Sequence, residues 1–163
     1  MNLSELGIRA KQASVLLAKM NVETKNRALI ACADALINER KSILEANAKD
    51  VLAGREKGMN EGLIDRLMLT EERIKGIADG LEQVAALNDP VGEVLEMKKR
   101  PNGLLIGRKR VPLGVVGMIY EARPNVTPDA FALCFKSGNA VILRGGSDAI
   151  NSNIAIVKVL RDT

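Results

Sequence analysis

Two short strings hold the residues most able to do chemistry. Glu121-Ala122-Arg123-Pro124-Asn125 places a carboxylate, a guanidinium and a carboxamide in one loop. An Asn amide can donate to a developing oxyanion. An Arg can grip a phosphate or carboxylate with paired hydrogen bonds. Pro124 stiffens the loop. A purely structural role stays open, with Asn125 serving loop backbone groups and Glu121 pairing with Arg123. The second string is Arg144-Gly145-Gly146-Ser147-Asp148. Its glycines let a ligand approach the backbone, and a helix beginning there offers N–H groups to an anion. Arg144 adds a fixed positive charge. Here too a plain strand-to-helix turn, with Arg144 salt-bridged at the surface, remains open.

The elements that must position these strings are legible around them. Residues 115–120 form an aliphatic run rich in β-branched residues, and 140–144 form another. Between them, Thr127-Pro128-Asp129 reads as a helix start. Thr127 would cap, Pro128 suits the first helical position and Asp129 faces the positive end. Ser137-Gly138-Asn139 reads as the stop, giving a helix over 128–137. Two buried strands joined by a helix imply a parallel pair with a right-handed crossover. Ligands of such sheets bind beyond the carboxyl ends of the strands, so the two strings should meet at one mouth. Gly114 and Gly117 lie before or within the first strand and are not a GxGxxG phosphate loop. A further helix should start at Ser147 or Asp148, with Ile150, Ile154, Val157 and Leu160 as its buried stripe.

Upstream, helical periodicity predicts helices over 3–20, 21–39, 41–57, 60–69 and 70–87. Ser4 is the expected cap of the first, with Leu6, Ala10, Ala13 and Leu17 inward. Thr70 caps the last with an incomplete capping box, Arg73 standing where Glu is usual. Charges along these helices read as a wet face. Asn88-Asp89-Pro90 is a boundary. Residues 94–100 and 104–111 read as a hairpin around Pro101-Asn102-Gly103. Parallel sheets usually have more than two strands, and the last helix shows no stop signal. Both lead to the expectation that this is the N-terminal part of a longer protein.

Composition excludes several classes. The 163 residues include two Phe, one Tyr and no Trp, too few for a platform that stacks single-stranded nucleic acid. The net charge of +4 is modest, and the basic residues at 98–100 and 108–110 read as solvated strand ends. No nucleic-acid partner is expected. The absence of His removes Ser-His-Asp catalysis and His metal sites, and no metal is expected. Cys32 and Cys134 sit in apolar helical patterns and read as small buried residues. No apolar run reaches the roughly 18 residues of a spanning helix, and no signal peptide is read at the start. The expectation is no membrane and a cytoplasmic location.

PLGVVGMIYEARPNVTPDAFALCFKSGNAVILRGGSDAINSN closely resembles the gamma-glutamyl phosphate reductases, also called glutamate-5-semialdehyde dehydrogenases, of the aldehyde dehydrogenase superfamily. NVETKNRALIACADALI and ILEANAKDVLAG are similar too, so the resemblance spans the chain. It implies an α/β fold of aldehyde-dehydrogenase type. Residues 1–90 would be the N-terminal helical part of the cofactor-binding domain and 91–111 the hairpin of an oligomerisation arm. Residues 112–163 would begin the NADP-binding Rossmann-like domain as its first βαβα, with the catalytic domain absent.

The implied activity is NADPH-dependent reduction of gamma-glutamyl phosphate to glutamate 5-semialdehyde and phosphate, in proline biosynthesis, by a homo-oligomer. By the resemblance Asn125 helps the oxyanion hole, while the nucleophilic Cys lies beyond Thr163. A thiolate would attack the acyl phosphate, phosphate would leave, and hydride would reduce the thioester. Arg144, Gly145, Gly146 and Ser147 would hold the cofactor, Arg144 suiting a 2′-phosphate. Glu121 and Arg123 would contact substrate. The chain alone is expected to be inactive. Two alternatives stay open: another aldehyde or acyl-phosphate dehydrogenase of the superfamily, and a non-catalytic helical interaction module in 1–90.

Overall fold

A computed structural model describes residues 2–163. Five helices come first. Helix α1 (Leu3–Leu17) is capped by Asn2, not Ser4. The Asn2 side chain accepts from the Glu5 N–H at 2.8 Å, and the Glu5 carboxylate accepts from the Asn2 N–H at 3.2 Å. Only Asn2 has an acid three residues on, so only Asn2 completes a capping box. The helix stops at Leu17, three residues short of the expected 20. Ser14 is its one buried residue, and Ala13, expected inward, is exposed.

Helices α2 (Val22–Asn38), α3 (Arg40–Glu56), α4 (Glu61–Leu67) and α5 (Glu71–Ala86) follow the predicted pattern closely. Asn21, Asn60 and Thr70 cap α2, α4 and α5 through their side chains. Leu29, Leu36, Ile43, Ile74 and Leu81 are almost wholly buried between α2, α3 and α5. Each such side chain contributes about 1.5–3 kcal/mol by leaving water.

Strands β1 (Val94–Lys99) and β2 (Leu105–Lys109) form the antiparallel hairpin. The Arg100 carbonyl accepts from Gly103 at 2.9 Å, and the Arg100 N–H donates to Leu104 at 2.7 Å. Gly103 has φ +88°, so the connection is a three-residue loop closed by a left-handed glycine. The hairpin stands open to solvent on both faces. Leu95, Met97, Leu105 and Ile106 are 46–63% exposed.

Strands β3 (Val115–Ile119) and β4 (Ala140–Arg144) pair in parallel, from Val115 opposite Ala140 to Ile119 opposite Arg144. Helix α6 (Val126–Lys136) connects them and begins two residues before the predicted start. Thr127 does not cap it. That residue is fully buried, and its hydroxyl lies 2.5 Å from the Tyr120 hydroxyl and 2.8 Å from Asn153 Oδ1. A hydroxyl committed to two side chains has nothing left for the helix end. The stop is as expected. Gly138 has φ +75°, its N–H donates to Phe135, and the Asn139 N–H donates to Cys134 at 2.8 Å, a Schellman motif.

A 3₁₀ turn (Ser147–Ala149) leads into α7 (Ile150–Asp162). The predicted stripe on this helix fails at its first two members, while Val157 is half-buried and Leu160 packs against the core. Ile150 and Ile154 are 48% and 61% exposed, while Ser152, Asn153, Ile156 and Val159 are buried. Polar bonds set its rotation, because α3 grips the Ser152 edge of α7 through Asp50. Ile156 and Val159 then join Ala132 of α6 in the same core as α2, α3 and α5. The helices and the strand–helix unit therefore share one interior.

Candidate functional site

The loops after β3 and β4 leave the sheet together. Beyond β3, the Tyr120 N–H still donates to the Arg144 carbonyl at 3.1 Å. The chain then turns tightly through Arg123–Asn125, with the Val126 N–H on the Arg123 carbonyl at 3.1 Å. Pro124 is fully buried. Ala122 packs on a small cluster of Val51, Ile64, Leu67 and Ala149. Anchored by these two residues, the loop turns Glu121, Arg123 and Asn125 out to solvent.

Two adjoining clefts result. The first, about 460 Å³, is bordered by Asp65, Arg66, Arg73, Arg123, Asn125 and Asp129. The second, about 330 Å³, is bordered by Arg66, Glu121, Arg123, Gly146, Ser147 and Asp148. Arg66 and Arg123 line both. The structure thus brings together five of the predicted residues: Glu121, Arg123, Asn125, Gly146 and Ser147. It leaves Arg144 and Gly145 outside both clefts. A side chain on Gly145 would come within 2.2 Å of Asn153 Nδ2 and 3.2 Å of the Tyr120 ring. That glycine makes room for the protein's own packing, and it lines a separate cleft of about 530 Å³ with Tyr120, Asn153 and Ile154. Gly146 has no such conflict, its nearest neighbour to an added Cβ lying at 3.4 Å.

The structural alternatives for these side chains do not occur. Asn125 makes no side-chain cap, and its amide has no hydrogen bond among the described residues. Glu121 and Arg123 do not pair with each other, and Arg144 has no ion-pair partner among the described residues. Each remains available to a ligand.

The helix expected to start at Ser147 or Asp148 starts at Ile150, after the 3₁₀ turn, and two of its first N–H groups are already bonded. Asp50 of α3 accepts from the Asn151 N–H at 3.2 Å and the Ser152 N–H at 2.8 Å. It also accepts from Asn151 Nδ2 at 2.7 Å and Ser152 Oγ at 2.6 Å. The protein's own carboxylate fills the place a phosphate could take. Asn47 extends this network, donating to Ser152 Oγ at 3.0 Å and accepting from the Leu69 N–H at 2.7 Å. Asp50 and Asn47 were missed by sequence reasoning. The available signal was two polar residues one helical turn apart on a stripe otherwise apolar.

Arg66 and Asp129 were missed as well, one read as a wet helix face and the other as a helix-start residue. Burial pushes the Asp129 carboxyl above its usual range. It also pushes the Cys32 and Cys134 thiols up, which keeps both protonated and poorly nucleophilic.

No family model matches the chain. It is 60% identical over 159 residues to a gamma-glutamyl phosphate reductase from Lachnospira eligens, a match covering 98% of this chain and 38% of that protein. The crystal structure of gamma-glutamyl phosphate reductase from Thermotoga maritima superposes with a TM-score of 0.96 at 46% identity, covering 99% of this chain and 39% of that one. An NADP-dependent glyceraldehyde-3-phosphate dehydrogenase from Bacillus halodurans, at 23% identity and a TM-score of 0.58 over 94% of this chain and 31% of its own, shares the fold alone. The chain spans a little over a third of the length of the curated relatives it matches. By sequence and by fold it belongs to the gamma-glutamyl phosphate reductase family, as an N-terminal portion of aldehyde-dehydrogenase architecture.

Proposed function

We propose that this segment, within the full-length enzyme, serves the NADPH-dependent reduction of gamma-glutamyl phosphate to glutamate 5-semialdehyde and phosphate. The observation that carries the reading is the uncommitted Asn125 amide, anchored beyond the carboxyl end of β3 with a free guanidinium beside it. Asn125 donates to the acyl oxygen as it gains charge, and its rigid loop means little reorganisation is needed at that moment. Arg123 borders both clefts and holds an anionic group of the substrate, and Glu121 offers a carboxylate on the same rim.

Gly146 and Ser147 edge the second cleft, and Arg144 ends the neighbouring strand with its charge unpaired. This set fits the polar groups of a phosphorylated dinucleotide, with Arg144 on the 2′-phosphate. Bound there, NADPH supplies the hydride. The nucleophilic cysteine comes from outside these residues, since both thiols present are buried. The exposed hairpin supports a homo-oligomer in which it pairs with another subunit.

The test runs the full-length enzyme in reverse, with NADP⁺, phosphate and glutamate 5-semialdehyde, following NADPH absorbance. Asn125→Ala lowers kcat by roughly 10²–10³ with little change in cofactor affinity. Near-normal kcat with only a raised KM refutes the role.

A further inference from the structure

The first cleft carries more charge than the reading above uses. Three guanidiniums and two carboxylates border it. One pair is spoken for. Arg73 reaches Asp65 Oδ1 at 2.8 Å, donates to the Met68 carbonyl at 2.8 Å, and also bonds the Asp65 carbonyl. These bonds tie α4 to α5 and leave Arg73 and Asp65 little capacity for a ligand. The side chains of the other three, Arg66, Arg123 and Asp129, make no hydrogen bond or ion pair among the described residues.

Their backbones are nonetheless fixed. Arg66 precedes buried Leu67, Arg123 precedes buried Pro124, and Asp129 lies between buried Pro128 and Ala130. Opposite charges are thus fixed around one space without neutralising one another. A ligand that answers all three needs an anion for two guanidiniums and a cation for one carboxylate, close together. A phosphate alone answers the arginines and is repelled by Asp129. A plain aldehyde answers neither. An α-amino acid answers both.

Spacing agrees. Asn125 and Asp129 are four residues apart at the start of α6, hence neighbours on one face at about 5–6 Å. The three carbon–carbon bonds from the α-carbon of a glutamyl chain to its acyl carbon span a comparable reach. We propose that this cleft receives the amino-acid end of the substrate. Arg66 and Arg123 bind its α-carboxylate and Asp129 its α-ammonium, which sets the acyl carbonyl beside Asn125. The assignment rests on the reductase reading above and gives it a basis for substrate choice. Glu121, the other carboxylate of the loop, borders only the second cleft, so the ammonium falls to Asp129. Crowding that disfavours the Asp129 carboxylate also makes a cationic partner there more rewarding.

The experiment compares three aldehydes in the NADP⁺-linked reverse reaction of the full-length enzyme. They are glutamate 5-semialdehyde, 5-oxopentanoate without the amino group, and pentanal without either charge. Asp129→Asn should cut the kcat/KM preference for the first over the second by roughly 10- to 100-fold, the effect of one charged hydrogen bond. Arg66→Gln should cut the preference for the second over the third by a similar factor. Asp129→Glu should keep part of the preference that Asp129→Asn loses.

A binding measurement needs no variant. L-glutamate should bind the wild-type enzyme at least about tenfold more tightly than glutarate by calorimetry. Unchanged preferences, or equal binding of the two acids, overturn the head-group assignment and leave the reductase reading intact. Absence of any NADPH-linked turnover in the wild type overturns both.

Discussion

At the residue scale, the site divides into side chains whose role can be read locally and side chains whose role depends on distant packing. Glu121, Arg123 and Asn125 were legible because a proline holds them in one loop between a strand and a helix. Arg66 and Asp129 were not. A charge on a helix ordinarily faces water, and only the packing of the Ala122 loop on Ile64 and Leu67 of α4 makes these two line one cleft. Arg144 is the reverse case, legible by type yet outside both clefts. Its guanidinium, unpaired at the end of β4, is the group proposed above to meet the cofactor's 2′-phosphate. Arg144→Ala in the full-length enzyme should lower the kcat/KM preference for NADPH over NADH by roughly 10- to 100-fold, about 1.5–3 kcal/mol. An unchanged preference removes the residue from the cofactor site.

At the element scale, periodicity found every helix and strand, while rotation and capping were less secure. Helix α7 shows why. Its sequence carries two usable stripes, one of Ile150, Ile154, Val157 and Leu160, the other of Ser152, Asn153, Ile156 and Val159, and only Leu160 of the first packs on the core. Hydrophobicity alone favours the first. The second is buried because Asp50 collects four hydrogen bonds from Asn151 and Ser152. No local signal announces a partner a hundred residues away. Asp50→Ala leaves those donors without an acceptor at a helix N-terminus and should destabilise the chain by about 2–4 kcal/mol in urea unfolding. Asp50→Asn, which keeps one acceptor oxygen, should do less. Equal stability of Asp50→Ala and wild type would mean that apolar packing alone sets the rotation of α7.

At the scale of the whole molecule, the hairpin contributes no buried residue to the interior. Its apolar side chains, exposed on both faces, are poorly suited to an isolated two-stranded unit, which is marginal in water. Deleting 94–111 from the full-length enzyme should convert the oligomer to monomers by sedimentation. A folded deletion variant that keeps the native assembly counts against the arm. The base of this arm is unusually firm. Asp89 accepts from the Val91 N–H at 2.9 Å and forms an ion pair with Lys25, a side chain wholly buried in α2. Lys25 Nζ also donates to the Lys136 carbonyl at 3.0 Å, and Lys136 Nζ is held by Asn26 at 2.5 Å and the Ala85 carbonyl at 2.7 Å. Lys136 is the last residue of α6, and the first turn of that helix carries Asp129 next to Asn125. The base of the arm is thus joined by a continuous run of polar contacts to the far end of α6. In an assembled enzyme, strain on the hairpin would enter at Asp89, pass through the two buried lysines and reach, along α6, the loop proposed above to hold substrate.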